Sequence, residues 1–356
     1  MRFLLRLLTL VVFLGFVAWG YGRYALSTET HRYAVVSDDQ RAVAQAYLDK
    51  AIEPLGAGWR WDVFSPAPEI DLRVGRFEPP PSDPKGVIVV VPGYTAPLEM
   101  LAASINRFYA AGYIVHGFEY RGQGLSSRLL TNPEKGHVED YSVLAADLAS
   151  FISQVREPGL PLHVYAISQG AHITMRMAGD ELAAANSYAL VVPMGKILTG
   201  GFPYEIARTL AAGLSYAGLG EMFAPGRGPW DIDDVQFGSA TSCNANPERA
   251  QIRDALFVLD ERKRTQGPTA RWVHETMQST DRLFEPGYPE NISQPVIMFT
   301  AGQDTIVDTD AAVRLCDRLG DCTRQHFAGS RHCIGLETDA VRDAIIDGSL
   351  DHFGGG

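Results

Sequence analysis

Three residues of the chain have the types and order needed for nucleophilic catalysis: Ser168, Asp304 and His332. A serine hydroxyl is a weak nucleophile until a histidine takes its proton and a carboxylate fixes that histidine's tautomer. Ser168 lies in His163-Val164-Tyr165-Ala166-Ile167-Ser168-Gln169-Gly170-Ala171-His172, which reads as a strand running directly into a helix. A serine presented on such a sharp turn needs small residues two before and two after it, because larger side chains would strike the neighbouring strand and helix. Ala166 and Gly170 occupy those places. The helix opening at Gln169 aims its first N–H groups at the reacting oxygen, so the backbone N–H of Gln169 is one expected oxyanion donor. Taken alone, the segment also fits Ser168 as an ordinary helix N-cap.

Chain order supplies the other two members, since on this type of turn the acid follows the serine and the histidine follows the acid. Val296 to Thr300 is a buried-strand pattern, and Ala301-Gly302-Gln303-Asp304 is the turn beyond it. Asp304 at its tip would accept the Nδ1 proton of the base. It could equally bond its own turn backbone, while Asp308 or Asp310 would cap the helix that starts near Thr309. His332 sits on a small-residue loop after the strand-like Thr323 to Phe327 and before a helix from about Thr338. The remaining histidines fit less well. His116 and His137 precede the serine, His163 and His326 fall in strands, and His172 lies one helical turn below Ser168. His31, His274 and His352 fall in the linker, the insertion and the tail. The second oxyanion donor is expected from the loop Val91-Pro92-Gly93-Tyr94-Thr95-Ala96, with the Tyr94 backbone N–H as the candidate.

The elements that must position these groups alternate. Val87 to Val91, Tyr113 to Phe118, Leu162 to Ile167, Tyr188 to Val192 and Pro295 to Thr300 are short, mostly apolar runs of the kind buried on both faces of a parallel sheet. Helical patterns at Leu98 to Ala111 and Val143 to Val155 lie between them. Glu69 to Val74 alternates as a half-exposed edge strand would. The expected fold class is α/β, a doubly wound and mostly parallel sheet. About a hundred helical and Gly/Pro-rich residues separate two of the strands, far more than an ordinary connection. They read as a cap over the sheet's C-terminal edge, where ligands bind in open α/β folds. The expected segments are 1–22, an N-terminal anchor or signal peptide; 23–60, a linker and short helix; 61–194 and 295–350, the two parts of the core; and 195–294, the cap.

With these residues in place, the chain resembles the lysophospholipase and monoacylglycerol-lipase branch of the α/β-hydrolases, over roughly residues 60 to 350. The most specific likeness is Tyr120-Arg121-Gly122-Gln123-Gly124-Leu125-Ser126, matching an Arg-Gly-Gln-Gly-x-Ser loop of that family. Gly136 to Tyr141 and Gly267-Pro268-Thr269-Ala270-Arg271-Trp272 are also similar to it. The chain departs from the family at Pro92, where His is usual, at Ala166, where Gly is usual, and at Glu119-Tyr120. The resemblance implies an α/β-hydrolase fold, a triad of Ser168, Asp304 and His332, and hydrolysis of a lysophospholipid or monoacylglycerol ester. A peptidase or short-chain esterase on the same fold, and a non-catalytic membrane-tethered binding protein, are the alternatives. Phe202, Tyr204, Leu210, Leu214, Tyr216, Met222 and Phe223 would line an acyl pocket or simply pack the cap.

Composition narrows the class further. The net charge is −11 and no long Lys/Arg run occurs, which argues against a nucleic-acid partner. No C-x-x-C pair marks a zinc site, and neither metal nor cofactor is called for. Met1 to Arg6 is basic and apolar and leads into the uncharged Leu7 to Gly22, the pattern of a membrane anchor or an export signal. The expected location is the inner membrane of a bacterial-type cell with the catalytic part in the periplasm. Cleavage near Ala18-Trp19-Gly20 would instead release a secreted protein. Export would favour disulfides among Cys243, Cys316, Cys322 and Cys333, with Cys316–Cys322 a local candidate beside the alternative of free thiols.

Overall fold

The computed structural model describes the backbone of residues 2–355 and the side chains of residues 13–355. The strands are β1 (Trp59–Ala67), β2 (Ile70–Phe77), β3 (Val87–Val91), β4 (Ile114–Phe118), β5 (Leu162–Ile167), β6 (Ser187–Val191), β7 (Val296–Ala301) and β8 (Cys322–Phe327). They form one sheet in the order β1-β2-β4-β3-β5-β6-β7-β8. Pairing is parallel from β4 across to β8, and antiparallel for β1 with β2 and β2 with β4. The helices are α1 (Arg2–Ser27), α2 (Asp38–Ala51), α3 (Ala102–Ala110), α4 (Tyr141–Val155), α5 (Gln169–Gly179), α6 (Tyr204–Tyr216), α7 (Ile252–Leu259), α8 (Ala270–Arg282), α9 (Thr309–Cys316) and α10 (Asp339–Gly354). This is the α/β-hydrolase fold.

The sheet order fixes where a ligand can sit. The chain goes from β3 outward to β4 and then returns to the other side of β3 as β5. The loops leaving β3 and β5 therefore diverge and open a crevice at their C-terminal ends. Val91 pairs with Ala166, so both strands stop at the same level. Every residue of β3 is buried, which its unbroken valine and isoleucine run requires.

Three features differ from the sequence expectations. The alternating segment near Glu69 is not the sheet edge, because β2 is covered by β1, whose tryptophan-rich pattern was not singled out. The short helix expected within 23–60 is α2, and it does more than connect. Ser37 and Gln40 close a capping box at the start of α2. Ala44, Leu48 and Ala51 of that helix then pack with Trp230, Ile252 and Phe257 in a core of their own. Helix α1 continues through Gly20 to Ser27 and docks on the end of α6, with Trp19 Nε1 donating to Ala217 O at 2.8 Å and Arg23 to Gly218 O at 2.6 Å. Among the described residues no helix is long and apolar enough to cross a membrane. The side chains of residues 1–12, on which much of the anchor expectation rests, lie outside the description.

Four buried histidines make the fold sensitive to acid. Burial holds His116, His137 and His163 down at about 4 and His172 at about 3. Unfolded, each would take up a proton near pH 6.5, whereas folded it does not until pH 4 or below. The unfolded state thus binds more protons in that window, so stability is full above pH 6.5 and falls as pH drops toward 4. Each histidine contributes up to about 1.4 kcal/mol per pH unit. Burial also pushes Glu134 up to about 7, which acts in the opposite direction between pH 4.5 and 7. The net expectation is a urea midpoint that falls markedly from pH 6.5 to 4.5. A midpoint that stays flat over that interval would contradict the buried, neutral state of these rings.

Candidate active site

Ser168 stands at the end of β5 with φ 52° and ψ −113°, a positive φ that a non-glycine residue adopts only when its surroundings enforce it. Its N–H donates to Val191 O at 2.9 Å, and its carbonyl accepts from Met194 N–H and from His172 N–H of α5. These bonds hold the turn from both sides. The side chain makes no N-cap bond, so the N-cap alternative does not hold. Ala166 is fully buried, and its single methyl fits where the resemblance expects glycine. Gly170 has no such latitude. A Cβ there would lie 2.4 Å from Pro92 O and 2.7 Å from Val91 O. Gly170→Ala must therefore push the β3 exit away from α5, and is expected to destabilise the protein by about 1–3 kcal/mol. Urea unfolding checks this, and a variant as stable as the parent would refute it.

His332 lies on the loop after β8 and reaches Ser168 across the sheet edge. Its Nε2 is 2.9 Å from Ser168 Oγ, and its Nδ1 is 2.6 Å from Asp304 Oδ2. A carboxylate only accepts, so Nδ1 carries the proton and Nε2 is left to accept from the serine hydroxyl. Asp304 also serves its own turn: Oδ1 accepts from Ile306 N–H at 2.8 Å and Val307 N–H at 2.9 Å. The two contacts considered for this residue from sequence are thus both present, one on each oxygen. Asp308 caps α9 through Ala311 N–H. His172 is buried, with Nδ1 at Met194 O and Nε2 at Ser279 Oγ, and takes no part.

The two expected oxyanion donors both belong to segments that adjoin Ser168. Gln169 follows Ser168 directly, and the Gly93 position lies 3.2 Å, measured from an ideal Cβ, from Ser168 Cβ. A side chain not singled out from sequence orients the peptide of the second expected donor. Gln123 Nε2 donates to Gly93 O, and Gln123 Oε1 accepts from Thr95 N–H, each at 3.0 Å. The Gly93 carbonyl and the Tyr94 N–H belong to one trans peptide and point in opposite directions. Pinning the carbonyl toward Gln123 thus turns the Tyr94 N–H away from it. Gln123 is held in turn by a loop built on the fully buried Glu119, whose carboxylate accepts from Leu98 and Leu125 N–H and meets Arg73. The Arg-Gly-Gln-Gly segment was visible in the sequence; what its glutamine does was not.

A disulfide joins Cys333, next to His332, to Cys243 in the long insertion between β6 and β7. Cys333 N–H also donates to Cys243 O at 2.7 Å, and Arg331 bonds Thr241 O. The second disulfide, Cys316–Cys322, closes the turn from α9 into β8 as expected. The acyl-pocket expectation fares less well. Phe202, Leu210 and Tyr216 are 49%, 40% and 78% exposed and face outward. Leu210 and Tyr216 lie on α6 and Phe202 just before it, and the Tyr216 ring meets His274 of α8 edge-on with centroids 5.3 Å apart. Of the seven residues only Tyr204 borders the cavity of about 320 Å³ between α6, α8 and α9, whose other walls include Lys196, Arg208 and Arg314. Among the described residues no cluster of His, Cys, Asp or Glu is arranged to hold a metal ion.

The sequence pattern of the family described as Hydrolase_4, serine aminopeptidase S33, matches residues 82–339. The chain belongs to this family. The matched span covers the β3 loop, the Ser168 turn, the Asp304 turn and His332. Relatives of this S33-family chain include the lysophospholipase L2 of Escherichia coli, 25% identical over 86% of this chain and 92% of that protein. Another is a Haemophilus influenzae protein named a probable lysophospholipase L2, 26% identical over 80% of this chain and 88% of that one. Among solved structures, a soluble variant of monoglyceride lipase from Saccharomyces cerevisiae superposes with a TM-score of 0.67 at 18% identity, covering 85% of this chain and 97% of that one. At that identity the last likeness speaks for the fold.

Proposed function

We propose that this protein is a serine esterase that hydrolyses the carboxylic ester of a lysophospholipid or monoacylglycerol through an acyl-enzyme on Ser168. The observation that carries the reading is the unbroken contact from Asp304 through His332 to Ser168 on a positive-φ turn at the C-terminal edge of the sheet. His332 Nε2 takes the Ser168 proton as Oγ attacks the ester carbonyl. The Tyr94 and Gln169 N–H groups receive the oxyanion, and His332 returns the proton to the departing alcohol. Water, deprotonated by the same nitrogen, then releases the fatty acid and restores the serine. No step requires a cofactor. The two lysophospholipase relatives support a lipid ester as substrate.

The family's description favours a second reading, a peptidase on the same machinery. Ester panels graded by acyl length, run beside aminoacyl amides, separate the two. Lipid esterase activity predicts turnover rising from short to long acyl chains on lysophospholipids and loss of that turnover in Ser168→Ala. Preference for the aminoacyl amides would overturn it.

On this reading residues 195–294 act as the cap, and the protein works against a membrane. Support comes from α1, where Phe13, Leu14, Phe16 and Val17 are exposed together beside its dock on α6. We place the enzyme on the periplasmic side of an inner membrane, a location in keeping with two disulfides that use all four cysteines.

A further inference from the structure

We propose that Trp272 is a positioning residue for both oxyanion donors, so that the donor pair is complete only while α8 is seated on it. The proposal rests on the reading of Tyr94 and Gln169 given above. Trp272 lies in the first turn of α8, far from both in sequence, and is buried between them. Its indole Nε1–H donates to Gln169 Oε1 at 3.2 Å. Its ring packs against the Tyr94 ring with centroids 4.9 Å apart. One side chain of the insertion thus holds the side chains of the two residues whose backbone N–H groups face the oxyanion.

The surroundings leave these contacts little room to vary. Tyr94 is also held at its far end, where its hydroxyl donates to Gln266 O at 3.0 Å. That hydroxyl occupies the space a side chain at Gly136 would fill, since a Cβ there would lie 1.7 Å from it. Gly136 is in turn bonded to the insertion through Gly267 O and Thr269 N–H. Trp272 is fixed at its own backbone by the N-cap Thr269, whose Oγ1 accepts from Trp272 N–H and contacts His137 Nδ1. A shift of α8 therefore moves Tyr94 and Gln169 together. Gln123 sets the plane of the Gly93–Tyr94 peptide from the core side, and Trp272 clamps the pair from the insertion side. Preorganised donors matter here because a donor displaced from the oxyanion is largely lost to the transition state while the ground-state ester hardly notices.

The test uses the full chain with Trp272→Phe, Gln169→Leu and the double variant. The readouts are kcat and KM on a long-chain p-nitrophenyl ester, and the rate of covalent labelling by a fluorophosphonate. Phenylalanine keeps a ring against Tyr94 but removes the indole N–H together with part of the ring's bulk, whereas Gln169→Leu removes the acceptor and leaves the indole in place. Deleting an oxyanion donor costs roughly 100- to 1,000-fold in kcat, so loosening one is expected to cost about tenfold. Trp272→Phe should thus lower kcat and the labelling rate about tenfold with KM unchanged. Gln169→Leu, which breaks the same bond from the other side, should do likewise, and the double variant should be no slower than the slower single one. Should Trp272→Phe fail to fold, Gln169→Leu alone carries the comparison. Unchanged kcat and labelling in the folded variants, or a rise in KM alone, would overturn the proposal and leave the Ser168 reading intact. Absence of labelling in the parent protein would overturn both.

Discussion

Ser168→Ala is expected to lower kcat on a lipid ester by about 10⁶-fold, and His332→Ala by about as much. Each change removes one half of a single proton-transfer unit, the 2.9 Å contact between Ser168 Oγ and His332 Nε2. Combining them should therefore add little. Asp304→Asn should cost less, about 10⁴-fold. The amide keeps an oxygen for the Ile306 and Val307 N–H groups, so the turn survives. It no longer offers His332 Nδ1 a carboxylate, so the imidazole loses the partner that fixes its tautomer and stabilises its charged form. Steady-state kinetics on a lysophospholipid, with the parent protein treated by a fluorophosphonate as reference, decides the matter. Substantial turnover by Ser168→Ala would remove the serine from the mechanism altogether.

The second large effect is expected from the Cys243–Cys333 disulfide. It closes a loop of 90 residues, whereas Cys316–Cys322 closes one of 6. In the chain-entropy view the stabilisation grows with the logarithm of loop length, to about 4–5 kcal/mol for the long loop against about 2 kcal/mol for the short one. Replacing Cys243 and Cys333 by serine should lower stability by about twice as much as replacing the local pair, as read by urea unfolding. It should also lower kcat, because Cys333 is the next residue after His332 and its N–H is bonded to Cys243 O. The local pair joins the end of α9 to the start of β8, away from the His332 loop, and should leave kcat unchanged. Equal stability losses for the two pairs, or a kcat indifferent to the long bridge, would show that the insertion does not hold the histidine loop.

How much of this was legible in advance follows from the range of the interactions. The strand-to-helix turn at Ser168, the acid past β7 and the histidine between β8 and α10 were readable because each depends on residues within a few positions. Small side chains at 166 and 170, a buried run ending in a polar tip and a helix start at Thr338 are local facts. The capping box that begins α2 was equally local, and was passed over in the span read as a linker and short helix. The outward faces of Phe202, Leu210 and Tyr216 could not be read from type alone, since an apolar residue on a helix faces whatever the helix is packed against.

By itself, then, the sequence determined the candidate nucleophile, acid and base, the alternation of strands and helices, and the chain order that ties them to one sheet edge. Hydrophobic periodicity and turn chemistry act over short stretches, so these are written where they are used. Tertiary structure alone decided that Gln123 pins the Gly93–Tyr94 peptide, that Trp272 bridges Tyr94 and Gln169, and that Cys243 pairs with Cys333. Those contacts join residues 28 to 178 positions apart. Their partners meet only after the β3–β4–β5 crossover and the insertion have folded against each other.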